Sequence, residues 1–146
     1  MKEVNEELLL NYLCMLLPYG IKVNYGGVVK NVRYIEPEYN ELCLEGDNFT
    51  LGIMDIKPYL RGMDSMSEEE KEEMHNLLSP EGTAIYDYDG INMPMNHYGE
   101  FVSYEFMNRI IQYLLEHHFD FIGFISKNLA IEVTEQNNPY KDIIVS

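Results

Sequence analysis

Residues 101–121 read FVSYEFMNRIIQYLLEHHFDF and predict the longest amphipathic helix of the chain, over residues 104–117. Apolar and polar side chains recur there at steps of three and four residues, which is the spacing of one helix face. The predicted inner face comprises Tyr104, Met107, Ile110, Ile111, Leu114 and His118. The predicted solvent-exposed face comprises Glu105, Asn108, Arg109, Gln112 and Glu116. A helix this short is marginal alone and depends on burying one face, so we expect it to be the core helix.

The segments before and after this helix predict an α+β fold. Residues 4–17 are apolar almost all round in their second half and stop at Pro18 and Gly20, which predicts a well-buried N-terminal helix. Between residues 21 and 60 the apolar period shortens to two, which is typical of three or four antiparallel strands in a meander. This small antiparallel sheet is open or curled into an SH3-like barrel. Residues 121–125 and 129–133 predict a short terminal β pair, and we expect residues 1–146 to form a single domain.

An acidic helix and a loop separate the sheet from the core helix. Ser67 followed by Glu70 is a capping box, in which each side chain satisfies a backbone N–H group of the other residue, and it predicts a helix start. Met74, Leu77 and Leu78 would form the inner side of that helix. Residues 83–98 are rich in Gly, Pro, Asn and Asp, so they predict a loop with at most a short strand at 84–86.

The net charge of −15 bounds the partners. It argues against direct nucleic-acid binding, which needs Lys and Arg to neutralise phosphates, and against anionic membrane surfaces. It is compatible with a basic protein partner, although solubility alone also favours such a charge.

Residues 8–17 are too short a run to span a bilayer, and the acidic N-terminal residues do not resemble a signal peptide. Cys14 and Cys43 sit in apolar settings without a CxxC spacing and predict reduced core thiols in a cytoplasmic protein.

Three stretches carry a resemblance to a known group of proteins. They are YLCMLLPYGIKV at 12–23, DIKPYLRGMDSMSEEE at 55–70 and YLLEHHFDFIGFISKNLAIEV at 113–133. These stretches resemble small uncharacterised proteins encoded by phages and prophages of Bacteroides and related gut bacteria. The resemblance implies a mobile-element protein that acts in a bacterial cytoplasm, and it implies no activity and no catalytic residue.

Two sets of residues are candidates for binding a partner. The first set is Glu69, Glu72 and Glu73 on the acidic helix. Glu69 and Glu73 would lie about 6 Å apart along the axis, close to the charge repeat of a nucleic-acid strand, so an acidic DNA mimic that inhibits a nucleic-acid-binding protein is one alternative. Runs of charge are more often simply solvated. The second set lies in the loop at 83–98 and comprises Tyr86, Tyr88, Met93, Met95 and Tyr98.

The residues that suggest metal or enzymatic chemistry form weaker patterns. His117, His118 and Asp120 include metal-capable side chains, but adjacent residues of a helix point about 100° apart, so we expect no metal site. Asp87, which starts the sequence DYDG, indicates a tight turn more than a calcium loop. An enzyme with a site assembled from His97, His118 and Asp87 is the second alternative. Because the sequence contains no phosphate-binding or nucleophile motif, we expect no cofactor and a non-enzymatic interaction protein.

Overall fold

The computed structural model describes the backbone of residues 2–78, 84–88, 91–95 and 104–140, and the side chains of residues 4–77 and 107–140. The α-helices are α1 (Lys2–Leu16), α2 (Glu68–Leu78) and α3 (Tyr104–Glu116). The first five strands are β1 (Lys22–Tyr25), β2 (Val28–Glu36), β3 (Glu41–Leu44), β4 (Thr50–Gly52) and β5 (Lys57–Leu60). The remaining strands are β6 (Ala84–Tyr88), β7 (Ile91–Met95) and β8 (Ile131–Glu132). The predicted α+β class is confirmed.

The main sheet has six strands in the order β4-β3-β2-β1-β5-β8. Every pairing is antiparallel except that of β8, which runs parallel to β5 through Tyr59 and Ile131. The long strand β2 pairs first with β1 and then with β3, and its register shifts between Val32 and Tyr34. The antiparallel pairing predicted for residues 21–60 is confirmed, with five strands where three or four were expected, and β8 makes the whole sheet mixed. The edge strands β4 and β8 do not pair with each other, so the SH3-like barrel is wrong. Closure requires the two edge strands to pair, and these strands span only three and two residues.

One apolar cluster joins the helices to the inner side of the sheet. β1 and β2 each bury one residue, whereas β3 and β5 each bury three consecutive residues, so part of the sheet is covered on both faces. The strand residues of this cluster are Val23, Val32, Leu42, Leu44 and Leu60. The helices add Leu9, Tyr12, Leu13 and Leu16 from α1 and Ile110 and Leu114 from α3. Among the described residues, no helix has the length and apolar character needed to cross a membrane.

The prediction of the core helix is confirmed. Ile110 and Leu114 are buried, and Met107 and Ile111 are half-buried against them. Asn108, Arg109, Gln112 and Glu116 are exposed. The helix ends at Glu116 because His118 adopts a left-handed conformation with φ 62, and Phe119 N–H then bonds back to Leu114 O.

The predicted terminal β pair is half wrong. Ile131 and Glu132 form β8, but they pair with β5, and residues 121–125 form no strand. The Asp120 carboxylate accepts hydrogen bonds from the N–H groups of Gly123, Phe124 and Ile125 at 2.8, 2.9 and 2.8 Å. Those donors are therefore turned toward one side chain and cannot bond to a neighbouring strand.

The acidic helix leads to a hairpin that the sequence did not predict. β6 and β7 pair antiparallel, with Tyr86 opposite Met93, where at most one short strand was expected. The Gly, Asn and Pro content of residues 83–98 favoured a loop. In a two-stranded sheet, however, each strand has a neighbour on one side only. A proline such as Pro94, which has no N–H group to donate, is tolerated in such an edge strand.

We predict that Asp120→Ala lowers the free energy of unfolding by at least about 2 kcal/mol, because three backbone donors lose a charged acceptor. Urea unfolding followed by circular dichroism measures the change. Lys127→Ala, an exposed substitution in the same turn region, is the control and should cost less than about 0.5 kcal/mol. Equal stability of the two variants would contradict the capping role.

Candidate functional site

The candidate site is the outward side of α2, which we call the acidic helix face. It comprises Glu68, Glu69, Glu72 and Glu73, all exposed. The predicted capping box is confirmed, because Ser67 Oγ accepts from Glu70 N–H at 3.1 Å and Glu70 Oε1 accepts from Ser67 N–H at 2.9 Å. The helix therefore starts where the sequence predicted, with Glu70 turned inward and its acidic neighbours turned outward.

Glu70 anchors the helix through a buried ion pair. The Arg61 side chain is 1% exposed, and its Nη1 and Nη2 atoms donate to Glu70 Oε2 and Oε1 at 2.7 and 2.6 Å. The guanidinium carbon lies 4.2 Å from the centre of the Phe119 ring, and Nη2 also donates to Ser65 O at 3.3 Å. Bidentate arginine–carboxylate geometry fixes orientation as well as distance. This pair therefore holds the first turn of α2 on the end of β5 and the segment after α3.

The environment of Glu70 keeps its carboxyl ionised. Burial alone raises the pKa of Glu70, but hydrogen bonds from Arg61 and from Ser67 and the charge of Arg61 outweigh it and lower the pKa to about 2. Because the folded-state pKa lies below the ordinary value of 4.5, this ion pair contributes stability above pH 4.5 and loses it as the pH falls toward 2.

A second contact fixes the flank of the acidic helix face. The Tyr113 hydroxyl donates to Glu73 Oε2 at 2.6 Å, and burial together with this acceptor raises the Tyr113 pKa. The Tyr113 ring stacks on His117 with centroids 4.2 Å apart. Glu73 is thus tied to α3, whereas Glu69 and Glu72 point away from the inward residues Glu70 and Met74.

A surface cleft with acidic walls lies near the start of α2. It has a volume of 320 Å³, and its lining residues are Asp64, Ser65, Glu132, Val133, Thr134, Glu135 and Gln136. A Cβ atom placed on Gly62 would lie 2.6 Å from Asp64 Oδ1 and 2.8 Å from Glu132 Oε2. Two carboxylates from separate segments therefore lie close to the same glycine.

The structure brings together one of the two predicted binding sets. Glu69, Glu72 and Glu73 share the exposed part of α2. Tyr86 and Tyr88 fall in β6, and Met93 and Met95 fall in β7, where only their backbone pairing is described. Tyr98 and His97 lie outside the described residues.

The candidate enzymatic residue His118 is a buried structural side chain. Its Nε2 donates to Gly20 O at 2.9 Å and its ring stacks on Tyr140 with centroids 4.1 Å apart, while Nδ1 is buried without a hydrogen-bond partner. Burial lowers the His118 pKa, opposed by the hydrogen bond to the Gly20 carbonyl and assisted by the nearby charges of His117 and Arg61. His118 lines neither described cleft, and Asp87 lies in β6 opposite Asn92.

The neighbouring residues of the possible metal set have separate roles. His117 Nδ1 lies 2.9 Å from Tyr113 O, and the Asp120 carboxylate is occupied by three backbone donors. Within the part of the chain that the structure describes, no three His, Cys, Asp or Glu side chains group closely enough to hold a metal ion.

Sequence reasoning missed Arg61, the residue on which the site depends. Its only signal was a single charged residue directly after the apolar strand residues Tyr59 and Leu60.

Comparison of the chain with protein-family models, with curated proteins and with solved structures found no match. The phage resemblance therefore stays a prediction.

We predict that Glu70→Gln destabilises the fold by about 3 kcal/mol, because it leaves the buried Arg61 charge without its counter-ion while the amide oxygen still accepts one bond. Chemical unfolding at pH 7 measures the loss. Glu69→Gln makes the same chemical change one residue away on the exposed side, and we expect it to cost less than about 0.5 kcal/mol. If the two variants were equally stable, the ion pair would not anchor α2.

We predict that the protein loses stability as the pH falls below about 6.5, because burial lowers the pKa of His118 and the unfolded chain therefore protonates this residue at a higher pH than the folded chain. Unfolding curves between pH 7.5 and 5.5 measure the slope. His118→Asn should flatten it, since Asn tolerates the positive φ and does not titrate. Asn76→Ala, an exposed substitution in α2 that leaves every histidine in place, should keep the slope.

Proposed function

We propose that this protein is a non-enzymatic interaction module that presents the acidic helix face to a basic segment of a protein partner. The observation that carries the proposal is the anchoring of α2 by the Arg61–Glu70 ion pair. That pair holds one glutamate inward in a fixed geometry, so the neighbouring exposed glutamates occupy defined positions on the surface.

The distribution of charge along α2 supports a binding role beyond helix stability. Glutamates in the first turn interact favourably with the positive end of the helix dipole, which accounts for Glu68, Glu69 and Glu70. Glu72 and Glu73 lie beyond that turn. Glu68 is paired with Lys71 at 3.1 Å, whereas Glu69 and Glu73 repel each other at a spacing of four residues. A basic partner would relieve this repulsion, and the negative field would steer its approach.

The resemblance to phage and prophage proteins suggests the setting. We place the module in the cytoplasm of a bacterial host, where it would bind a host or phage protein. Two free thiols, Cys14 and Cys43, are compatible with a reducing compartment. The proposal involves no cofactor, no membrane and no direct contact with nucleic acid, because the charge of −15 disfavours polyanions.

The DNA-mimic alternative loses part of its basis. It relied on Glu69 and Glu73 as two evenly spaced, equally available carboxylates. Glu73 accepts a hydrogen bond from Tyr113, so its carboxylate is held at the flank of the helix. A mimic needs a row of equally accessible charges that matches a phosphate backbone. In α2, Glu73 is bound to Tyr113 whereas Glu69 and Glu72 are exposed to solvent, so these carboxylates are not equivalent.

We predict that reversing Glu69 and Glu72 together to Lys abolishes capture of a basic partner. Tagged wild-type protein would be incubated with lysate of a Bacteroides strain, and bound proteins would be identified by mass spectrometry and then measured as purified pairs. We expect one stoichiometric basic partner, whose affinity falls at least about tenfold in the variant because two attractive contacts become repulsive.

The matched control is Glu38→Lys with Glu45→Lys, which changes the net charge by the same amount at exposed positions outside α2. It should keep the affinity, whereas an equal loss in both variants would show that net charge rather than the acidic helix face drives binding. Elution of the partner by duplex DNA would favour the mimic. A partner that binds the Glu69 and Glu72 variant normally would overturn the proposal.

A further inference from the structure

α1 carries an apolar stripe on the side that faces away from the core. Its buried side consists of Leu9, Tyr12, Leu13 and Leu16. On the opposite side, Val4, Leu8 and Met15 are 54%, 37% and 43% exposed. These positions are separated by four and seven residues and therefore align along one line of the helix, with the exposed Asn11 between them. We call Val4, Leu8, Asn11 and Met15 the α1 stripe.

An acidic groove runs beside the α1 stripe. The groove has a volume of 540 Å³ and is lined by Glu6, Glu7 and Leu10 of α1 and by Asn40. Around the helix, Glu7 lies between the stripe and Leu10, so its carboxylate borders both the apolar line and the groove. The apolar stripe and the Glu7 carboxylate are thus adjacent on α1, whereas Glu6 lies on the far side of the groove.

We propose that the α1 stripe is a docking surface for a cationic amphipathic helix of a protein partner. The stripe extends over three helical turns, about 16 Å, which matches a short helix packed along it. Apolar residues of the partner at steps of three and four would cover Val4, Leu8 and Met15. Lys or Arg residues at the edge of that partner helix would meet Glu7, which lies between the stripe and the groove.

The negative charge of the protein favours a cationic helix over the other surfaces that an apolar stripe can bind. A second copy of the chain would bring another charge of −15 and place the same glutamates opposite each other. An anionic membrane surface would be repelled by the same carboxylates. A cationic helix satisfies both the apolar stripe and the acidic groove. This inference goes beyond the proposed function, because it uses none of the residues of the acidic helix face.

The experiment uses a fluorescein-labelled synthetic helix with leucines on one side and lysines on the other, titrated with the full chain and followed by fluorescence anisotropy. We expect binding that weakens at least about tenfold when Leu8 and Met15 are both changed to Glu, since two apolar contacts are lost. A scrambled peptide of the same composition should bind at least about tenfold more weakly, because its leucines no longer share a face.

Val28→Glu with Val29→Glu is the matched control, because these valines are 53% and 47% exposed on β2 and receive the same added charge. If association were only electrostatic, both double variants would bind the lysine-rich peptide more tightly, and that result would overturn the proposal. Equal binding of the ordered and scrambled peptides would do the same. Circular dichroism confirms that each variant is folded.

The rate at which Cys14 is alkylated gives an independent measure of where the peptide binds. This thiol is exposed on the flank of the α1 stripe, so the prediction of a core thiol is wrong for Cys14, whereas Cys43 is buried as predicted. Bound peptide should slow alkylation of Cys14 several-fold, and an unchanged rate would contradict docking on α1. The Glu69→Lys, Glu72→Lys variant should bind this peptide normally. Loss of binding in that variant alone would move the peptide to the acidic helix face and overturn this inference while supporting the proposed function.

Discussion

The buried charge of Arg61 is the constraint on which the described structure depends. Its backbone links the sheet to the exit of α3, because Arg61 N–H donates to His118 O and Arg61 O accepts from Asp120 N–H, both at 2.8 Å. Its side chain binds Glu70 of α2 and lies over the Phe119 ring. Burying a guanidinium costs several kcal/mol of desolvation, and only close partners offset that cost. One residue therefore determines how β5, α2 and the end of α3 are arranged.

This arrangement explains why the residues after α3 are polar yet buried. His118 reaches Gly20, Asp120 caps the turn at residues 123–125, and the Tyr12 hydroxyl donates to Phe119 O at 2.6 Å. Each group satisfies a backbone atom that no helix or strand pairs, which is the role buried polar groups usually have. The sequence EHHFD therefore acts as a structural connector and not as a reactive centre, although its composition resembles a set of metal ligands.

The sequence predicted features that depend on local chemistry and missed those that depend on distant contacts. The period of α3 and the Ser67–Glu70 capping box are local, and both are present. The parallel pairing of β8 with β5 joins residues about seventy positions apart and has no local signal. The exposed glutamates of α2 were predicted as a candidate site, and the capping box marked Glu70 as the residue that starts the helix. Nothing in the sequence indicated that the Glu70 carboxylate also pairs with Arg61.

Solubility alone does not explain this distribution of charge. A charge of −15 keeps a protein soluble wherever the carboxylates lie on its surface, and it would also compensate for exposed residues such as Leu8 and Met15. Solubility gives no reason to bury an arginine so that the first turn of an acidic helix is held in place. A fixed helix matters when the spacing and direction of its outward side chains matter, which is the requirement of recognition. The costly interior pair is therefore the strongest physical reason to regard the outward glutamates as a binding surface.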